Sequence, residues 1–181
     1  MTTRALLGGA RGDRLAAAAD TPLDTVILYG EAGDDRLTGL VGSRGTLALI
    51  GGAGGDTYAY ADRGATFVLE AGNGAGDVFV DNLSSAAFDI LYTIDGRHLV
   101  VGASASDLRV VFLDWEKPEN RIERWEFKNG LVMNFAEFSA NVKHLPGWLC
   151  DPRGLDMAAA GGLDVTGEVT AIYDFDRAME A

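Results

Sequence analysis

The amino-acid sequence predicts an all-β chain: a parallel β-roll, then an antiparallel hairpin segment that caps it, then a weakly ordered acidic tail. Three observations lead there. Acidic glycine loops recur along the first half at Asp13, Asp35, Asp56 and Asp77, spaced by 22, 21 and 21 residues. Each Asp is followed two positions later by a large apolar residue: Leu15, Leu37, Tyr58 and Phe79. The third loop, Gly51-Gly52-Ala53-Gly54-Gly55-Asp56-Thr57-Tyr58-Ala59, fits the nonapeptide G-G-x-G-x-D-x-U-x, with U large and apolar, at every constrained position. A repeat of this kind marks an architecture of stacked coils.

The roll is expected over residues 8–82. Val26, Leu47 and Phe67 lie between the post-loop anchors, so an apolar residue recurs at each half-turn. Two half-turns make one coil, in which strand, bend, strand and bend return the chain one layer higher. The bends at 20–23, 41–45 and 62–65 lack the glycine–aspartate frame, so acidic loops should line one side only. Each coil is also longer than two nonapeptides, which makes those opposite bends long and loose.

Over residues 83–147 the glycine repeats give way to hairpin texture. Residues 88–94 read as a strand, Asp95-Gly96 as a tight turn and 98–101 as the return strand. Further strands are expected at 108–113 and 122–127, separated by a polar loop at 116–120 that contains Pro118. Lys128-Asn129-Gly130 then turns into 131–135. Such a segment would cover the roll's open end, where apolar side chains and strand edges are otherwise exposed. Beyond Pro146-Gly147 the tail, residues 148–181, is rich in Ala and Gly and then acidic; Val165, Val169 and Ile172 are spaced for a short amphipathic helix.

Charge and composition exclude several functions. With 15 basic and 27 acidic residues the formal charge is -12, which repels nucleic acid and anionic membranes and favours cations. The single Cys150 supplies neither a disulfide nor a zinc site, and beside Asp151 it reads as an incidental thiol. Residues 1–10 do not read as a cleaved leader, and no stretch approaches a membrane span. Thr57 stands where G-x-G-x-x-G needs glycine, no GK[ST] follows, and Arg36 breaks an EF-hand reading of Asp34 onward. His98 and His144 belong to no metal pair, and Gly102-Ala103-Ser104-Ala105-Ser106 lacks the last glycine of a nucleophile elbow. Trp115, Trp125 and Phe127 read as the core of the cap rather than a ligand strip. With repeats beginning at Gly8, no room remains in the chain for a catalytic domain, so it is expected not to be an enzyme.

The loops themselves point to calcium. Glycines allow the positive φ angles that turn a backbone sharply and aim carbonyl oxygens inward, and the Asp adds charge. Calcium takes about six to eight hard oxygen ligands, which two stacked loops supply from carbonyls and one carboxylate per layer. The expected metal-holding residues are Asp13, Gly30, Ala32, Gly33, Asp35, Gly51, Ala53, Gly54, Asp56, Gly72, Gly74 and Asp77. Without metal the stacked carboxylates repel, so binding should be coupled to folding. The loops are uneven: Glu31, Arg11 and Ala75 each stand where a glycine belongs. The Asp35–Asp56 gap is therefore expected to be the best site, the Asp56–Asp77 gap second and the Asp13–Asp35 gap last. The competing reading is ordinary glycine turns in which each Asp bonds its own loop backbone; four loops in register favour metal.

These loops resemble the RTX family, secreted bacterial proteins built on glycine- and aspartate-rich nonapeptides. The resemblance continues through Phe67-Val68-Leu69-Glu70 and Gly72-Asn73-Gly74-Ala75-Gly76-Asp77, and extends to Leu113-Asp114-Trp115 and Arg121-Ile122-Glu123-Arg124-Trp125-Glu126-Phe127-Lys128-Asn129-Gly130, which look like that family's capping segment. It covers residues 8–140 and implies a right-handed, RTX-type roll that binds calcium. It also implies export through a type I secretion machinery by a C-terminal signal, followed by folding outside the cell or at its surface. The tail from Trp148 is the candidate signal. An alternative from the same resemblance is an accessory module of a secreted enzyme or adhesin that holds a polysaccharide or protein partner.

Overall fold

The structure, a computed structural model, describes residues 2–21, 24–60, 63–72, 74–81, 90–94, 97–102, 108–144 and 165–179. The Asp95-Gly96 turn, the Pro146-Gly147 break, Cys150, the 103–106 segment and the tail from Trp148 to the start of the last helix lie outside these residues.

The chain alternates between two sheets. Strands β1 (Thr2–Gly9), β3 (Asp24–Ala32), β5 (Thr46–Ala53) and β7 (Ala65–Leu69) pair in parallel in the first. Strands β2 (Arg14–Ala17), β4 (Arg36–Gly39), β6 (Thr57–Ala59) and β8 (Val78–Val80) pair in parallel in the second. The result is the expected parallel β-roll. Its acidic loops all join a first-sheet strand to a second-sheet strand and so lie on one side.

The two sheets differ because their sequences do. First-sheet strands are runs such as Val26-Ile27-Leu28-Tyr29 and Leu47-Ala48-Leu49-Ile50, apolar at every position, as suits a parallel sheet covered on both faces. Val26, Leu28, Leu47, Leu49 and Val68 face the interior. Ile27, Tyr29, Ala48, Ile50, Phe67 and Leu69 form a second core on the outer face. The short second-sheet strands contribute the post-loop anchors, Leu15, Leu37, Tyr58 and Phe79, stacked in register, and Trp125 extends the column.

After the roll come β9 (Ile90–Ile94), β10 (His98–Gly102), β11 (Arg109–Phe112), the 3-10 turn Pro118–Asn120, β12 (Arg124–Glu126), β13 (Val132–Asn134), helix α1 (Phe135–Ser139), β14 (Lys143–His144) and helix α2 (Val165–Met179). The expected antiparallel cap needs correction. The β9–β10, β10–β11 and β12–β13 pairs are antiparallel, but β11 runs parallel to β7 and β12 parallel to β8. The segment thus lays one further coil on the roll, with the β9–β10 hairpin inserted. Burial drives this: the exposed ends of β7 and β8 leave Phe79 uncovered, and Phe112 and Trp125 settle on it with ring centroids 5.0 and 5.3 Å away. Phe138 of α1 then stacks on Trp125 at 3.7 Å. Trp115 and Trp125 are core residues, as expected, and Phe127 packs against that core.

The first helix has a local cause and the second a tertiary one. Where a strand was expected to run through 135, Asn134 caps α1 by accepting from the Glu137 N–H at 2.9 Å, and Glu137 answers by accepting from the Asn134 N–H at 2.9 Å. The helix anticipated near Val165 and Ile172 is longer than a short segment, 15 residues. It is docked rather than free: Ile172 joins the outer core, and Phe175 meets Tyr29 edge to face at 5.9 Å. No described helix is long and apolar enough to cross a membrane.

Candidate metal centre

The four loop aspartates form a ladder along the roll. The Asp13 N–H donates to Asp35 Oδ1 at 2.6 Å, the Asp35 N–H to Asp56 Oδ1 at 2.8 Å and the Asp56 N–H to Asp77 Oδ1 at 2.7 Å. In return the carbonyls of Asp13, Asp35 and Asp56 accept from Arg36, Thr57 and Val78 at 2.8, 2.8 and 2.7 Å. The carboxylates of Asp35, Asp56 and Asp77 therefore each reach back one coil and do not bond their own loop, contrary to the ordinary-turn reading. The further coil keeps the pattern with a longer acid: the Asp77 N–H donates to Glu123 Oε2 at 2.9 Å, and Arg124 N–H to the Asp77 carbonyl at 3.0 Å.

One oxygen of each carboxylate is used in this way; the other is not. Asp35 Oδ2, Asp56 Oδ2 and Asp77 Oδ2 have no hydrogen-bond partner, although the three residues are only 2%, 0% and 1% exposed. Leaving a buried carboxylate oxygen uncompensated is costly. These oxygens lie against the first glycines of the loops, where a Cβ on Gly30 would strike Asp35 Oδ2 and the Gly51 carbonyl, and one on Gly51 would strike Asp56 Oδ2. Close approach, more than turn geometry, explains those two glycines.

Main-chain oxygens line the spaces between layers. The carbonyls of Glu31 and Gly33 face Gly52 and Gly54 of the next coil, and those of Gly52 and Gly54 face Gly72 and Gly74. Ala32 and Ala53 are register partners, and the Ala53 carbonyl accepts from the Gly33 N–H at 2.7 Å. Asp13, in the first coil, is half-buried and meets the ladder through its backbone. The donors gathered here are carboxylates and carbonyls, a hard-oxygen set that suits a hard cation and not a thiolate- or imidazole-seeking metal.

The second position of the second loop is strained. Glu31 has φ +74°, in register with Gly52 at φ +100°. A side chain in this left-handed region costs about 1–2 kcal/mol. Glu31→Gly is therefore expected to stabilise the folded protein by about 0.5–1 kcal/mol, after allowing for the extra backbone freedom of glycine. An unchanged or lower urea midpoint would contradict it.

A residue outside the predicted set completes the centre. Thr46 pairs with Ala65, nineteen positions on, whereas Thr25 pairs with Thr46, twenty-one on. The loop joining β7 to β8 takes up the difference. As a result Glu70, one step beyond the Ile50–Leu69 pair, occupies the level that Gly51 holds in the coil before. Its Oε1 accepts from the Gly72 N–H at 3.2 Å, and its Oε2 accepts from the Tyr58 hydroxyl. Asp56, Glu70 and Asp77 each bring a carboxylate oxygen within 4.8 Å of the others, all three residues buried. The sequence held one signal of this: a glutamate at the end of the buried apolar run Phe67-Val68-Leu69.

Burial dominates the electrostatics. It raises Asp56 to about 6, aided by the Asp35 charge and opposed by the hydrogen bond from the Asp35 backbone. Asp77 rises to about 7, from burial first and then repulsion by Glu123 and Asp56. Glu70 rises to about 9, from burial and the two aspartates, against the Tyr58 hydrogen bond. Asp35 is also raised by burial. Without a counter-charge these groups keep their protons to higher pH than free carboxyls do.

No model of a known protein family matches the chain, and no curated protein matches it. The resemblance to RTX proteins rests on the sequence of the loops and of the segment that follows them.

The other charged cluster has its own partners. Asp114, at φ +47°, is held by Arg97 through two bonds of 2.8 and 3.0 Å and by Lys117 at 2.7 Å. The half-buried His98 on β10 accepts from the Asp114 N–H through Nδ1 at 3.1 Å. It braces a turn and lies in no metal pair among the described residues.

Proposed function

We propose that the chain is a calcium-binding module whose folding is completed by ions held between successive acidic loops. The observation that carries this is the row of buried Asp35, Asp56 and Asp77 Oδ2 atoms without partners, the first of which meets the Gly51 carbonyl of the next layer against Gly30. Divalent cations would compensate those charges and use the oxygens that the protein leaves unsatisfied. The RTX resemblance supports the same reading and adds its setting: export through a type I secretion machinery by a signal in residues 148–181, then folding in calcium-rich surroundings as a non-enzymatic part of a secreted or surface protein.

At neutral pH or above, the chain is expected to lose most of its β-structure in excess chelator and to regain it at roughly 0.1–1 mM free calcium, the range of extracellular modules. Circular dichroism across a calcium titration measures this. A full β-spectrum in chelator at pH 8, unchanged by calcium, would overturn the proposal.

A further inference from the structure

We propose that Glu70 is itself a metal ligand, which with Asp56 and Asp77 makes an interior three-carboxylate site for a hard cation of calcium's size, tighter than the gap between Asp35 and Asp56. The inference presupposes that the ladder binds calcium, and it changes which gap binds first and through what.

Three independent features converge on one place. The shorter, nineteen-residue step from β5 to β7 brings an acid to a level that is glycine at Gly51 and Gly30 in the preceding coils. The spot that a Cβ on Gly51 would fill is crowded by Asp56 Oδ2, Glu70 Oε2 and the Tyr58 hydroxyl, so these oxygens converge rather than diverge. Asp56 Oδ2 is buried there without a partner, and Asp77, whose carboxylate comes within 4.8 Å of the other two, also has a buried, unpartnered Oδ2. An acidic residue that merely needed a hydrogen bond would not be brought up against two further carboxylates whose charges oppose its own.

The chemistry selects the ion. Three buried carboxylates, two of them with an unsatisfied oxygen, make an all-oxygen donor set, as calcium requires. Magnesium holds a strict octahedron and keeps several waters, which a buried centre against the Tyr58 hydroxyl does not provide for. Charge count tunes calcium affinity, and three carboxylates here exceed the two aspartates expected in the Asp35–Asp56 gap.

Calorimetric titration of the full chain with calcium tests this. Glu70→Gln retains the acceptor for Tyr58 and removes only charge; it is expected to weaken the tightest binding step at least tenfold and leave weaker steps in place. Magnesium at the same concentrations is expected not to displace calcium from that step. A parent chain that takes up no calcium would overturn the calcium ladder as a whole. A parent that binds, beside a Glu70→Gln variant with its tightest step intact, would overturn the role of Glu70 alone. Should Glu70→Gln fail to fold in saturating calcium, Glu70→Asp decides: folding restored by the shorter acid supports a charged ligand, whereas loss of the fold in both variants makes Glu70 a packing residue and refutes the proposal.

Discussion

Asp56→Asn is expected to raise the calcium concentration needed for half-folding by about tenfold or more, while Asp24→Asn leaves it within about twofold. The two aspartates differ in everything but chemistry. Asp56 sits mid-ladder and fully buried; its Oδ1 holds the Asp35 N–H at 2.8 Å, its own N–H is held by Asp77 at 2.7 Å, and its Oδ2 faces the Glu70 cluster without a partner. It borders two gaps, so one substitution removes charge from both. The asparagine keeps an oxygen for the Asp35 N–H, which confines the loss to charge rather than to the coil-to-coil hydrogen bond. Asp24 opens β3 on the side without glycine loops, where it accepts from Thr2 Oγ1 at 2.5 Å and the Thr21 N–H at 2.9 Å, with solvent available to both groups. Circular dichroism during calcium titration of the two variants compares them. Equal shifts would mean that the opposite bends also bind metal and that the ladder is not one-sided.

The second large effect is on pH. In metal-free buffer, stability is expected to fall as pH rises from about 4 to 9, so that folded structure absent at pH 8 returns near pH 5. Burial lifts Asp56 from 3.8 to about 6, Asp77 from 3.8 to about 7 and Glu70 from 4.5 to about 9. Across that window the folded chain holds protons that the unfolded chain has released, so folding takes up protons and raising pH opposes it. Asp56 alone, about two pH units, corresponds to about 3 kcal/mol, lost as pH climbs through 6. With saturating calcium the trend reverses on the acid side, because protons and cations compete for the same oxygens. Thermal melts at pH 5 and pH 8, with metal stripped by resin, provide the measurement. A metal-free chain that grows more stable toward pH 8 would show that these carboxylates are ionised in the fold.

The cap shows where sequence patterns lose their hold. Hairpin signals placed β9 and β10 well, because a return strand is chosen by its own turn. They could not tell that β11 and β12 continue the roll in parallel. That choice depends on which strand edges the finished coils leave open, a property of residues more than forty positions away in the pairs Ala65–Arg109 and Val78–Arg124. Helix α1 is a different case, since the Asn134 and Glu137 capping box was legible and outweighed the extended pattern before it.

The sequence by itself determined the coil. The spacing of Asp13, Asp35, Asp56 and Asp77 set the layer period, the apolar residue two positions on set the inward column, and the glycine frame put every acidic loop on one side; all three are local, periodic and independent of distant partners. Tertiary structure alone decided what the acids do to one another. That each carboxylate bonds the previous layer, that its second oxygen is left buried without a partner, and that Glu70 reaches the Asp56–Asp77 pair all follow from stacking register. A change of two residues in the length of one coil was enough to put an acid where glycine stood before, because residues on neighbouring layers meet by register and not by their order in the chain.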